Sequence, residues 1–471
     1  MRSTCAAPAD ARTAAGGRLG TLRRAFTSTS LLLALALPGR SESVPARPTP
    51  DWVRDAVVYE VFPRAFSPEG NLAGVTARLD QLRELGVSVL WLMPVHEIGL
   101  KGRKGSLGSP YAVRDYYSLN PAYGQPEDLQ RLVRESHARG LRVILDVVMN
   151  HTAWDSPLLQ RPGFHTRDAQ GRVVSPEPDW SDVADLDYGN PAVRAYMLQV
   201  MRHWLRAYDL DGFRCDVAWL VPTDFWEQAR LELEQLKPGL FLLAEADEPA
   251  LVRQAFDADY AWPFFHALND VVWGLRPASA LRGEWEREQG RRPPGALRLR
   301  FSDNHDERRA ASRLGERAAL AAAALNFTLD GIPLLYNGQE IGDTAESGAP
   351  ALFERLPIFW GMESRRPDVR PFFRDLIALR AASPALRRGS VEWLDSDDPA
   401  RVLSYVRRAE GQELLIALNF SNRPFGGAVS APGQGWTERA WRAGAAPADG
   451  ASPARLVLRP WELRVFERRA N

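Results

Sequence analysis

Residues 141–151 read Leu141-Arg142-Val143-Ile144-Leu145-Asp146-Val147-Val148-Met149-Asn150-His151. From Leu141 to Met149 the run is apolar almost without a break, as a strand covered on both faces should be. A helical pattern over about 127–139 precedes it and stops at Gly140. The run ends in polar Asn150 and His151. Helix, glycine, short two-sided strand and polar strand end together make one unit of a parallel α/β sheet.

The same arrangement recurs in both directions. A first strand lies near Ala56 to Phe62, and a helix carrying Leu79, Leu82 and Leu85 stops at Gly86. Val87 to Met93 is a second two-sided strand. Beyond residue 190, a helix with Pro191 in its first turn runs to Tyr208. Strands follow at Gly212 to Val217 and Leu240 to Ala246, with a helix from Thr223 to Leu236 between them. A weak strand signal covers 255–260, and clearer ones cover 297–302 and 332–336. Helices are predicted over 316–329 and 369–382. About eight strand–helix units close a (β/α)₈ barrel, known as a TIM barrel. No Gly-rich phosphate loop follows the first strand, which argues against a doubly wound nucleotide-binding sheet.

Two regions depart from the alternation. About 150–190 is polar and irregular, a short insertion after strand 3. From about 390 short alternating strands appear, such as Arg401 to Val406 and Glu413 to Leu418. The expected organisation is a leader over 1–45, a catalytic barrel over 46–389, and a C-terminal antiparallel β-sandwich domain over 390–471.

Composition narrows the function classes. Lys+Arg and Asp+Glu are both 59, a formal net charge of zero, which gives no support for a nucleic-acid partner. The balance fits a neutral ligand such as a sugar, and the 15 Trp residues include candidates for stacking on one. Arg23 and Arg24 precede an apolar run from Leu31 to Leu37, then Pro38, Gly39 and Arg40, the layout of an export signal. The run is far shorter than a membrane span of about 20 residues. A secreted or periplasmic monomer is therefore expected. With Cys5 in the leader and Cys215 alone after it, no internal disulfide is expected.

In a barrel of this kind, reacting groups sit at the C-terminal ends of strands. Four predicted strand ends carry them: Asp146 to His151, Gly212-Phe213-Arg214-Cys215-Asp216, Leu243-Ala244-Glu245, and Ser302-Asp303-Asn304-His305-Asp306. Any one such Asp is more often a turn or helix cap, and any one His more often a satisfied core group. The conjunction at four ends is what points to chemistry.

These four ends resemble the four sequence regions of the α-amylase family of glycoside hydrolases. Val58-Tyr59-Glu60-Val61-Phe62, Leu92-Met93-Pro94-Val95, Ser109-Pro110-Tyr111 with Asp115-Tyr116-Tyr117, and Gly331 through Glu340 extend the likeness over nearly all of 52–471. The resemblance implies retaining hydrolysis of α-1,4-glucosidic bonds in starch-like α-glucans. It makes Asp216 the nucleophile, Glu245 the general acid/base and Asp306 the third carboxylate. It places Tyr111, His151 and His305 on the sugar, with Asp146 orienting Arg214. Arg214 shares a strand face with Asp216 and should keep it ionised. The apolar flank Leu242-Leu243-Ala244 is compatible with a raised Glu245 pKa.

Two departures leave questions open. Many family members carry Lys-His shortly after the nucleophile, but here the stretch is Val217-Ala218-Trp219-Leu220. Trp219 either stacks on leaving-side sugars or merely packs. Asn150 and Asp185 either hold a Ca²⁺ ion, whose preference is for hard oxygen ligands, or tie the insertion down by hydrogen bonds. No organic cofactor is expected. Glucosyl transfer and α-glucosidase action use the same carboxylates, and an inactive sugar-binding homologue is a remote alternative.

Overall fold

The structure, a computed structural model, describes residues 44–345, 349–443 and 452–469. Eight parallel strands close on one another: β1 (Val58–Val61), β2 (Val89–Leu92), β3 (Arg142–Val148), β4 (Gly212–Asp216), β5 (Phe241–Ala244), β6 (Ala258–Tyr260), β7 (Leu297–Arg300) and β8 (Ile332–Tyr336). Each pairs with its sequence neighbours, and β8 returns to β1. This is the expected TIM barrel.

Strand side chains alternate between two environments. Val58, Trp91, Ile144, Leu243, Tyr260, Leu299 and Leu334 fill the barrel interior as one cluster. Tyr59, Leu90, Val143, Leu145, Val147, Phe213, Cys215, Leu242 and Ala244 face the surrounding helices in another. The parity of β3 and β4 therefore sends Asp146, Arg214 and Asp216 inward, with Ile144 below them. Glu60 follows Val58 inward on β1 in the same way.

Gly212 permits the tightest of these approaches. At φ 153° it begins β4, and a Cβ there would lie 1.9 Å from the Phe241 carbonyl oxygen. Only glycine lets β4 and β5 come together at this point, two positions below Arg214.

The helices predicted near 127–139, 191–208, 223–236, 316–329 and 369–382 are found as Pro126–Ala138, Pro191–Tyr208, Thr223–Leu236, Glu316–Thr328 and Val369–Ala381. Pro126 and Pro191 open their helices, and the Asn190 side chain caps the second by accepting from the Ala192 N–H. Two helices had no clear signal. Trp262–Val272 was not picked out although its apolar side chains recur on one face, and Ser279–Arg291 is so charged that Leu281 is its lone buried apolar side chain.

The insertion is more ordered than its sequence implied. His151–Ala153 pairs antiparallel with Val183–Asp185, putting His151 opposite Asp185. A second hairpin, His96–Ile98 with Val113–Leu119, lies between β2 and β3. Both stand at the C-terminal ends of barrel strands.

At the C-terminus, Ser390–Leu394, Val402–Ala409, Gln412–Asn419, Leu463–Arg469 and Thr437–Glu438 form a five-stranded antiparallel sheet, accompanied by a two-stranded one. One face of the larger sheet, with Leu403, Tyr405, Leu414 and Ile416, joins the barrel core. The other, with Val402, Val406 and Leu415, builds its own core. Among the described residues no helix is long and apolar enough to cross a membrane.

Candidate active site

The inward groups at the top of the barrel converge on one guanidinium. Arg214, fully buried, contacts both Asp146 oxygens at 2.9 and 3.0 Å through Nη1. The same Nη1 donates to Asp216 Oδ1 at 3.0 Å, and Nη2 lies 2.9 Å from Glu245 Oε2 in ion-pair contact. The Tyr260 hydroxyl accepts from Nε at 3.2 Å. Glu245 directly follows β5, and its Oε2 also accepts the Val217 N–H at 2.8 Å. Val217 sits in the left-handed region at φ 36°.

A second branch runs through Tyr111. Its hydroxyl donates to Asp146 Oδ2 at 3.1 Å and meets His305 Nε2 at 2.7 Å. The Tyr111 and His305 rings stack, 25° apart in plane with centroids at 5.3 Å. His305 Nδ1 contacts the buried Glu60 carboxylate at 2.5 Å, and Nε2 lies 3.2 Å from Asp306. Asp306 is the most exposed carboxylate of the group.

Burial and charge set the protonation pattern. Burial pushes Asp216 well above the usual carboxylate range, and the Glu245 charge adds to this against the pull of Arg214. Burial also lifts Glu245, but Arg214 and the Val217 N–H outweigh it and hold the carboxyl below its ordinary value. The sequence led to the opposite ordering. It missed that Arg214 grips both carboxyls and that Glu245 takes a main-chain donor that Asp216 lacks. The two groups titrate as a pair, and in the free site the proton favours Asp216.

Burial raises Asp146 to about 6. For His305, burial disfavours the charge, but Asp306 and Glu60 overcome it and raise the imidazole to about 9. Burial drives His151 down to about 4, leaving it neutral at pH 7.

Tyr111, His151, Asp216, Glu245, His305 and Asp306 line one side of a cavity of about 660 Å³. Trp219 is half exposed and does not line it. Asn150 and Asp185 lie at the base of the insertion, where the Asn150 amide donates to Asp185 Oδ1 at 3.4 Å. No cluster of three or more His, Cys, Asp or Glu side chains among the described residues is arranged for a metal.

Several groups at the site had not been singled out from sequence. Glu60 stood in a quoted motif as a lone carboxylate in an apolar strand, which is the signal that could have found it. Lys104, Trp180 and Asp182 also line the cavity, from loops that carry no periodic pattern, as does Phe353 at the end of the short helix Ala349–Phe353.

Comparison with known proteins gives consistent matches. A family model for the α-amylase catalytic domain matches residues 40–168, 178–252 and 277–401. An α-amylase of Haloarcula japonica is 31% identical over 394 residues, covering 80% of this chain and 57% of its own length. An intracellular maltogenic amylase of Bacillus subtilis is 28% identical over 425 residues, covering 79% of this chain and 70% of its own. The crystal structure of an α-amylase from Lactobacillus plantarum superposes with a TM-score of 0.80 at 31% identity, over 89% of this chain and 100% of that one. The chain thus spans little more than half the length of the Haloarcula relative.

The relative named intracellular overturns the expectation of a secreted or periplasmic protein. That expectation rested on a seven-residue apolar run, Leu31 to Leu37. The run lies outside the described residues.

Proposed function

The chain belongs to the α-amylase family of glycoside hydrolases, and from that premise we propose that it hydrolyses α-1,4-glucosidic bonds of maltodextrin-type α-glucans with retention. The observation that carries this reading is the pair Asp216 and Glu245, on adjacent strand ends, both held by Arg214 at the cavity wall. Retention needs two carboxyls only about 5–5.5 Å apart across the bond, and sharing one guanidinium keeps these two close.

Asp216 attacks the anomeric carbon while Glu245 gives its proton to the glycosidic oxygen, and the C–O bond breaks. Glu245 then takes a proton from water, which attacks the glycosyl-enzyme and releases Asp216. For this the shared proton must pass to Glu245 and leave Asp216 ionised. Sugar entering the cavity displaces water around Glu245, and desolvation favours its neutral form. Once neutral, Glu245 loses its ion contact with Arg214, and the guanidinium's charge falls to Asp216 and Asp146. Asp306 and the His305 imidazolium bind sugar hydroxyls, His151 supplies a neutral hydrogen-bonding edge, and Tyr111 stacks on the ring. Trp219, exposed beyond Asp216, offers a face to the leaving-side sugars.

Asn150 and Asp185 read best as a hydrogen-bonded pin that needs no calcium. Calcium takes six to eight oxygen ligands, and this pair brings one carboxylate and one amide already bonded to each other. No step depends on an ion there. An intracellular place of work follows the name of the Bacillus subtilis relative.

The test is a timed product profile on maltoheptaose and soluble starch, with the anomer of the first products read by NMR. Shorter products appearing first as α-anomers are expected. Inverted products, or no cleavage, would refute the mechanism. Products longer than maltoheptaose would shift the reading to glucosyl transfer.

A further inference from the structure

Part of the cavity wall is built from three chain segments that are distant in sequence. They are the loop 101–108 (Lys-Gly-Arg-Lys-Gly-Ser-Leu-Gly), the tip of the insertion at 179–183, and residues 352–354 after β8. The first is tied to the third through its main chain: the Leu107 N–H donates to the Phe353 carbonyl at 2.9 Å, and the Ser106 N–H to Glu354 at 2.8 Å. Buried Arg64 fastens the same two segments from beneath, donating to the carbonyls of Gly108 and Leu352 at 2.9 and 2.6 Å.

The loop also reaches across to the insertion. Lys104 Nζ lies 2.9 Å from Asp182 Oδ1 and donates to the Asp179 carbonyl at 3.0 Å. Its ammonium is 5.8 Å from the Phe353 ring centre, so one side chain touches both other segments. The flanking glycines make this approach possible. Gly105, at φ 60°, presses so closely that a Cβ would sit 2.5 Å from the Phe353 Cβ, and Gly102, at φ 72°, lies against Ser181 and Asp182.

An α-glucan bound across Asp216 and Glu245 can continue past the active site only where the wall is open. Here three segments of the wall are fastened to one another, and the insertion segment reaches the site only through Trp180, whose ring lies 5.7 Å from that of His151. Lys104 is partly exposed while Asp182 is nearly buried, so the ion pair lies at the lip of the cavity, where a passing chain would meet it. We propose that Lys104 is a specificity-determining residue: its latch onto Asp182 ends the binding site on that side, and the enzyme acts on the ends of short oligosaccharides in preference to the interior of long polymers. This inference rests on the α-glucan reading above and adds the size class of the substrate.

The experiment measures kcat/KM on soluble starch and on maltotriose for the wild type, K104M, D182N and K104R. The starch-to-maltotriose ratio should rise at least fivefold in both K104M and D182N, which break the latch from opposite sides. It should stay within twofold in K104R, which can still reach Asp182. Thermal melts on each variant separate loss of the latch from loss of the fold. A ratio unchanged within twofold in both K104M and D182N overturns the latch, as does a K104R ratio that shifts as far as that of K104M. A wild type that cleaves neither substrate overturns the α-glucan reading, and the latch with it.

Discussion

Two charged networks occupy the same barrel, on opposite faces of its strands. The inner one joins Glu60, Asp146, Asp216, Glu245 and Asp306 to Arg214 and His305. The outer one lies between the sheet and the helices. There Arg292 and Arg298 share Asp247 and Asp259 at 2.6 to 2.8 Å, and Arg300 meets Glu288 at 2.8 Å. The outer network sets three guanidiniums against four carboxylates, the fourth being the partly exposed Asp330, 3.4 Å from Arg300. The inner one sets five carboxyls against one guanidinium and one imidazole. A network near charge balance, with part of it open to water, can stay ionised, whereas a buried and strongly acid-rich one must hold protons and share them. That imbalance is how the inner group obtains a carboxyl able to give up a proton near neutral pH, and it separates chemistry from architecture within a single sheet.

The sharpest way to break this contrast is to remove one member of each network. Asp216→Ala should lower turnover by at least about 10⁴-fold, the scale seen when a nucleophile is deleted, with a melting temperature at or above the wild type. A melting curve that collapsed instead would place Asp216 among the structural groups. Arg298→Ala should do the reverse. Arg292 still holds Asp259, so losing one of its two guanidiniums should cost less than the roughly 3–5 kcal/mol of a fully unpaired buried charge, and kcat per folded molecule should be unchanged. A specific loss of kcat at full stability would dissolve the distinction.

A pH series sharpens it further. The folded pKa of His305 is raised to about 9 from an ordinary 6.5, so folding favours its charged form. The resulting stability is complete below pH 6.5, where the imidazole is protonated folded or unfolded, and is lost as pH rises through 9. His305→Gln should therefore lose most against the wild type at pH 6 and least above pH 9, in paired thermal melts. A constant gap would mean that the imidazole is not held charged. The smallest effect belongs to the pin below the insertion. Asn150→Ala removes one neutral-to-acid hydrogen bond, worth about 1 kcal/mol, and excess chelator should leave the wild-type melting temperature where it was. A chelator-induced drop reversed by calcium would turn the pin into an ion site.

What could be read from the sequence follows the same division. Barrel strands such as 141–149 and 332–336 were legible because a strand covered on both faces must be apolar at every position. The inward carboxyls were legible because they break that rule at strand ends. Lys104, Trp180 and Asp182 were not, because they reach the cavity from loops, where neither period nor parity constrains the residue, and Phe353 was not, because its helix, Ala349–Phe353, is too short to show a period. The helix at 279–291 hid for a related reason: its buried Glu288 joins the outer ion network and its buried Glu284 pairs with Arg287, so its inward side looks like a surface. The ordering of Asp216 and Glu245 was also out of reach. It turns on which carboxyl meets Val217, a contact between strands that no single strand announces.

That contact has a consequence for how the enzyme can vary. The donor to Glu245 is the main-chain N–H of residue 217, not a side chain. Exchanging Val217 for another amino acid cannot delete it, with proline the one exception. Substitutions at this site can change only how comfortably the backbone holds its left-handed turn, from which glycine would relieve the strain. Libraries that randomise position 217 would thus explore small displacements of the acid/base group while its hydrogen bond persists, a mechanical adjustment in place of a chemical one.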